Sequence, residues 1–200
     1  LLWMMIPRTA SLAVAQINLL IVLALASSLS LGSVSVFTLA TNIQSLPFGL
    51  IGISVAVAAF PALSQAANQG AERSFQRLLL QQVAWLWFLL VPVTVLFYLF
   101  APQLVYVVLG AGKFDATNII RTTEILRILV IALPAQSVVA LLVRAYYAKQ
   151  NTWTPFFISV FAELLNLGLC LVLRDKYGLQ GLATAFTIST IVHVKVLWMV

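Results

Sequence analysis

Ser35, Thr38, Asn42 and Ser45 fall at i, i+3, i+7 and i+10, the spacing that puts side chains on one face of a helix. The stretch around them, from Gly32 to Ser64, is otherwise apolar and long enough to cross a bilayer. A row of hydroxyl and amide groups breaks no bonds; it holds polar or anionic groups by hydrogen bonding. Pro47 follows and removes a backbone donor, and Gly49 loosens the chain beside it. In hydrocarbon, such a face and such a break survive only against other helices or a wet cavity. For Asn42 and Gln44 two readings stand side by side. One is interhelical hydrogen bonding, worth about 0.6–2 kcal/mol per contact. The other is the lining of a cavity that meets a polar or anionic substrate.

Further polar groups sit in other apolar runs. Glu163 is the only acid deep within one, and an ionised carboxylate there is costly unless paired or wetted. It is read either as a cation site or proton relay, or as a structural pair with Arg144 or Lys195. Asn166 lies at i+3 from Glu163 and shares its face. Gln16 and Asn18 are two apart and so do not share a face; at least one of them holds helices together. Arg127 has Glu124 at i−3 as a ready partner, and otherwise faces a lumen where it attracts diphosphate or carboxylate groups. Arg8, after Pro7, reads as a charge at a cytoplasmic helix start, or as a gate at the inner mouth of a cavity. His193 and Lys195 near the chain end read as snorkelling groups.

Soluble-enzyme constellations are absent. His193 is the only histidine and Cys170 the only cysteine, so no histidine-rich metal site and no disulfide within the chain can form. Cys170, inside an apolar run, reads as a small core hydrophobe. No phosphate-binding glycine loop and no nucleophile elbow appears. With a single intramembrane acid, a two-carboxylate hydrolytic site is not expected. The chain is therefore read as no enzyme, without a cofactor.

The elements that must position these groups follow from composition. The sequence is 62% hydrophobic and 8% charged, more apolar surface than a soluble domain of 200 residues can hide. Its long apolar runs define an all-α integral membrane protein, where a barrel would show short alternating segments. About six spans are expected, near residues 11–30, 33–64, 75–100, 117–148, 154–173 and 179 to the end. Gly70 is expected to stop a helix, Gln150-Asn151 to make a tight turn, and Arg174-Asp-Lys-Tyr-Gly178 to reverse the chain. Pro92 and Pro134 lie inside the third and fourth spans. The chain begins at Leu1 and has no signal-peptide layout, which suggests an internal piece of a longer membrane protein.

Alternating spans put Arg8, Arg73, Arg77, Arg144 and Lys149 on one side of the membrane. Lys113, Arg121, Arg174 and Lys176 fall on the other. Counting basic residues makes the first side cytoplasmic. The net charge of +6 is scattered near helix ends, which suits anionic headgroups and not nucleic acid.

Several stretches taken together resemble the MurJ/MviN family of bacterial lipid II flippases, within the MOP exporter superfamily. They are Pro7-Arg8, Gln16-Ile-Asn-Leu-Leu20, Gly32-Ser-Val-Ser35, Leu46-Pro-Phe-Gly-Leu-Ile-Gly-Ile53 and Phe60-Pro-Ala-Leu-Ser64. Gly112-Lys-Phe-Asp-Ala116, Arg144-Ala-Tyr-Tyr-Ala-Lys-Gln-Asn-Thr-Trp-Thr-Pro155 and Gly181-Leu-Ala183 complete the set. The resemblance runs along the whole chain. It implies one lobe of a MATE-like transporter, in the register of helices seven to twelve of the family's usual fourteen, with the N-terminal lobe missing here. It also implies a bacterial cytoplasmic membrane location.

What the resemblance implies for function is translocation of an undecaprenyl-diphosphate-linked peptidoglycan precursor by alternating access. Ser35, Thr38, Asn42, Gln44, Ser45, Arg8 and Arg127 would then face the substrate. Asn18, Glu163 and Asn166 would sense a coupling ion, with sodium and proton both open. Partners would be a lipid-linked oligosaccharide, membrane lipids and envelope-synthesis proteins. The chain departs from the pattern. The family's aspartate-arginine pair before the proline reads Thr41-Asn42 here, and acids usual in the family are replaced by Val22 and Cys170. Those losses keep two alternatives in view: a degenerate scaffold of the envelope-synthesis machinery, and an exporter of another lipid-linked glycan or a drug.

Overall fold

The computed structural model describes residues 2–109 and 116–200, and every element in them is helical. Helix α1 spans Leu2–Ser27, and α2 spans Ser33–Pro47 after a turn at Gly32 (φ 85°). A wider, π-type turn covers Phe48–Ile53, and α3 continues it over Ser54–Asn68. The remaining helices are α4 (Glu72–Leu99), α5 (Ala101–Leu109), α6 (Ala116–Ile131), α7 (Leu133–Ala148) and α8 (Trp153–Met199).

Four of these helical stretches are long and apolar enough to cross a membrane, counting α2 through α3 as one, and the bent α6–α7 pair makes a fifth. Helix α8 holds two spans. Its 47 residues would extend about 70 Å if straight, over twice a hydrocarbon core of about 30 Å. Gly178 interrupts it at φ 54°, ψ −130°, a left-handed backbone that glycine adopts at no steric cost. Ser159 and His193 then lie 3.5 Å apart across the fold-back, so residues 153–177 and 179–199 form an antiparallel hairpin. The fifth and sixth expected spans are these two halves.

The expected break after Pro47 takes the form of the π-type turn. Pro47 has no N–H to donate, and Gly49 and Gly52 leave room for the looser winding. The Ser54 hydroxyl donates to the Gly49 carbonyl at 3.3 Å, serving an acceptor within the turn. The chain stays helical through the turn. The fourth span, by contrast, bends by 45° between α6 and α7. Pro134 sits in the first turn of α7, where an N–H has no helical partner to lose. Gly70 (φ 64°) ends the α3 segment and Gln150 (φ 57°) makes the turn after α7, both where expected. Two boundaries differ. The polar link expected over 65–74 shrinks to a few residues, because α3 runs on to Asn68 and α4 starts at Glu72. A separate helix, α5, follows the third span. The expected link over 110–115 lies outside the described residues.

Packing uses small residues. Lipid tails are as apolar as leucine, so close approach of helices, not escape from water, holds a membrane bundle together. Ala26, Ala40, Ala56, Ala132, Ala183 and Ala185 are all fully buried. They surround a core of Leu126, Leu133 and Leu141 from the bent pair and Leu182 from α8. Trp85, Phe88, Phe157, Leu164 and Val172 point outward, as lipid-facing residues do. The two sets of ends stay apart. Lys149 Nζ lies 2.8 Å from Glu72 Oε1 and 4.6 Å from the Phe75 ring, and Arg8 lies over the Tyr147 ring at 5.7 Å. At the other end Arg121, Glu124, Lys176 and Tyr177 line one cleft.

Candidate functional site

Ser35, Thr38, Asn42 and Ser45 are all exposed, on a single face of α2. The opposite face carries Val36, Phe37, Ala40 and Ile43 into the core. Ser45 donates its hydroxyl to the Asn42 carbonyl at 2.7 Å, which keeps that group satisfied within the helix. The stripe therefore runs down an uncovered face and ends at the π-type turn.

Gln44 stands apart from the stripe. It is buried, and its Nε2 donates to Gln136 Oε1 of α7 at 2.7 Å. Next to Gln136, Ser137 is fully buried with no hydrogen-bond partner for its hydroxyl among the described residues, and it presses on Gly52 of the π-type turn. A Cβ at position 52 would overlap the Ser137 Oγ. The loosened segment of the second span is thus seated against the start of α7, just beyond the bend of the fourth. Gln136, Ser137 and Gly52 were not singled out by the sequence. Gln136 lies two residues after Pro134, and a polar group beside a span-interrupting proline is the signal that marks it.

A second polar group lies inside the bundle. A cavity of about 210 Å³ is walled by α1, α2, α6 and both halves of α8, and its polar lining is Asn18, Thr41, Gln44, Glu163 and Asn166. Asn18 Nδ2 donates to the Glu163 main-chain carbonyl at 2.9 Å. Asn166 Nδ2 donates to Asn18 Oδ1 at 3.0 Å, and Cys170 Sγ approaches Asn166 Oδ1 at 3.6 Å. The structure brings together the three residues read as ion-sensing, and adds Gln44 to them.

Two pairings do not form as expected. Glu163 makes no ion pair with Arg144 or Lys195; the ion pairs among the described residues are Lys149–Glu72 and Arg174–Asp175. Arg144 donates instead to the Ala140 carbonyl one turn back. Nor does Glu124 serve Arg127. Glu124 accepts from Gln180 Nε2 at 2.9 Å, across to α8. Arg127 lies over the Tyr98 ring at 5.6 Å and donates Nε to the Tyr98 carbonyl at 3.3 Å, which ties α6 to α4. Arg8 reaches Tyr147, so α1 and α7 meet at the end read as cytoplasmic.

An all-helical bundle with a loosened second span, an uncovered polar face and a carboxyl lining a cavity is the class of fold that membrane transporters use. Solved structures agree on that class. An inward-facing MATE multidrug transporter of the MOP superfamily superposes with a TM-score of 0.87 over 97% of this chain and 44% of its own, at 18% identity, which shows the fold alone. A structure titled "Lipid II flippase MurJ, inward closed conformation" matches with a TM-score of 0.84 and 26% identity, covering 94% of this chain and 40% of its own.

The profile of the family described as lipid II flippase MurJ matches residues 1–200, and the chain belongs to that family. A "Probable lipid II flippase MurJ" of Bdellovibrio bacteriovorus is 30% identical over 96% of this chain and 37% of its own length. One of Borreliella burgdorferi is 29% identical over 88% of this chain and 35% of its own. The chain thus spans somewhat over a third of the length of these relatives.

Proposed function

We propose that this chain serves the translocation of lipid II, an undecaprenyl-diphosphate-linked peptidoglycan precursor, across the bacterial cytoplasmic membrane by alternating access. The observation that carries the reading is the stripe of Ser35, Thr38, Asn42 and Ser45, left uncovered on a membrane-spanning helix and running into the π-type turn. Uncovered polar side chains at that depth call for water, a polar ligand or a neighbouring helix, and a face that ends at a loosened turn suits the first two. Membership in the MurJ family supports lipid II as that ligand.

In this reading the stripe faces a central cavity shared with a second lobe. The sugar and peptide of the headgroup bind there by hydrogen bonds while the polyprenyl tail stays in lipid. Asn42, standing where the family's arginine is usual, recognises by hydrogen bonding and not by charge, so the diphosphate is held elsewhere. Arg8 stays at the cytoplasmic mouth, and Arg127 acts as a strut between α4 and α6. An ion gradient biases the cycle through the cavity of Asn18, Glu163 and Asn166.

Complementation tests this. In cells depleted of their own flippase, the full-length protein is expected to restore growth and export of labelled lipid II. The Asn42→Leu variant is expected to export less. Survival of envelope-protein binding with no export by the unaltered protein would contradict the proposal and leave a scaffold role. Unchanged export by Asn42→Leu would remove that residue from the site.

A further inference from the structure

Four polar residues of the first half of α8, Ser159, Glu163, Asn166 and Cys170, recur at i, i+4, i+7 and i+11 and so form one line along the helix. Glu163 is ten residues from the start of α8 at Trp153, about 15 Å along the axis and close to midway through a hydrocarbon core of about 30 Å. Each neighbour in the line has a partner on another segment or within the line: Ser159 on His193, Asn166 on Asn18, and Cys170 on Asn166. Among the described residues the Glu163 carboxyl has no ion-pair partner, and it lines the cavity.

The resemblance to the MurJ family implies sodium among these helices, and the residues present do not fit it. Sodium is a hard cation that calls for several oxygen ligands with net negative charge. Val22 and Cys170 stand where acids would supply them, and both are buried. The amide oxygens of Asn18 and Asn166 already accept hydrogen bonds from Asn166 and Cys170. Among the described residues no three histidine, cysteine or acidic groups cluster as a metal site. A proton needs one carboxylate oxygen only, and Glu163 supplies it.

We propose that Glu163 is the coupling site and that the ion is a proton, released toward the side of residues 149–153 past Ser159 and His193. Facing Glu163 across the cavity are Asn18 from α1, Thr41 and Gln44 from α2, Leu129 from α6, and Leu182 and Phe186 from the second half of α8. None of these titrates or carries charge. The titratable groups nearest along the line are His193, behind Ser159, and Cys170, behind Asn166. A carboxylate without a counter-charge at this depth demands water, whereas the carboxylic acid tolerates a dry, closed cavity. Asn18 ties α1 to α8 through the Glu163 carbonyl and Asn166, so wetting or drying this cavity biases how α1 sits on α8. The coupling role rests on the transport reading; the proton site itself does not.

Dicyclohexylcarbodiimide, which reacts with protonated carboxyls in apolar surroundings, separates the two. The full-length protein in native membranes is treated across a pH series, in sodium and in choline buffers, and the adduct is located by peptide mass spectrometry. The expected result is an adduct at Glu163 that is lost as pH rises, is the same in both buffers and is missing in Glu163→Gln. No adduct at any pH, or protection by sodium at fixed pH, would overturn the proton site. In vesicles, Glu163→Gln is expected to flatten the pH dependence of lipid II flipping; an unchanged profile would overturn coupling through this residue. If the unaltered protein carries the adduct yet moves no lipid II at any pH, the transport reading fails and the coupling role with it, while proton binding stands.

Discussion

Asn42 and Gln44 are two residues apart and meet opposite fates. Asn42 stays on the uncovered face, and Gln44 turns inward to a buried bond with Gln136. A buried amide stripped of its partner keeps its full desolvation cost, whereas removing both partners costs little. Gln136→Leu is therefore expected to destabilise the protein by about 1–2 kcal/mol, a magnitude set by interhelical hydrogen bonds in membranes. The Gln44→Leu/Gln136→Leu double variant should recover most of that loss. Thermal unfolding of the detergent-solubilised protein measures both. The Lys149–Glu72 contact, short as it is, joins two exposed side chains, so Lys149→Met is expected to change Tm little. The sequence showed that Asn42, Gln44, Asn18, Glu163 and Asn166 were unusual, because a polar group in an apolar run is visible without coordinates. It did not show their partners. Gln136 lies 92 positions from Gln44, and Gln180 lies 56 from Glu124, where local spacing had favoured Arg127.

At the scale of elements, two glycines set how closely segments approach. A side chain at Gly52 would meet Ser137 Oγ, the end of a small side chain. Gly52→Ala is expected to lower Tm, and Gly52→Ala combined with Ser137→Gly to restore it, since the second change removes the obstructing atoms. At Gly181 a Cβ would meet the Leu173 carbonyl, which is backbone and cannot rotate away. Gly181→Ala should therefore cost more, in the range of about 1–3 kcal/mol for overpacking, with no single side-chain change to rescue it. The same two sites mark what was legible. Pro47 and Gly49 announced a weak point in the second span, and Arg174-Asp-Lys-Tyr-Gly178 announced a reversal, because proline and glycine act locally. The π-type winding of Phe48–Ile53 and the 45° bend at Ala132 depend on what lies alongside, and no local pattern carries that. The link expected over 65–74 is shorter in the structure for a related reason: glutamine, asparagine and alanine are tolerated in an exposed helix end.

Across the whole molecule, charge and polarity sort by depth. Arg8, Glu72, Tyr147 and Lys149 meet at one end of the bundle, and Arg121, Glu124 and Lys176 line a cleft at the other. Between them lie two polar features of different kinds. The inner cavity around Glu163 lies between α1, α2, α6 and both halves of α8. Among the described residues nothing lies over the outer stripe on α2. Transport requires that the stripe meet water in at least one state, while packing against a neighbouring helix would seal it. Single cysteines at Thr38, Asn42 and Ser45 in the full-length protein, probed in native membranes with a membrane-impermeant maleimide, decide between these. The account predicts that all three react, at rates that fall when lipid II is supplied. Three unreactive positions, in inward- and outward-trapped protein alike, would contradict it.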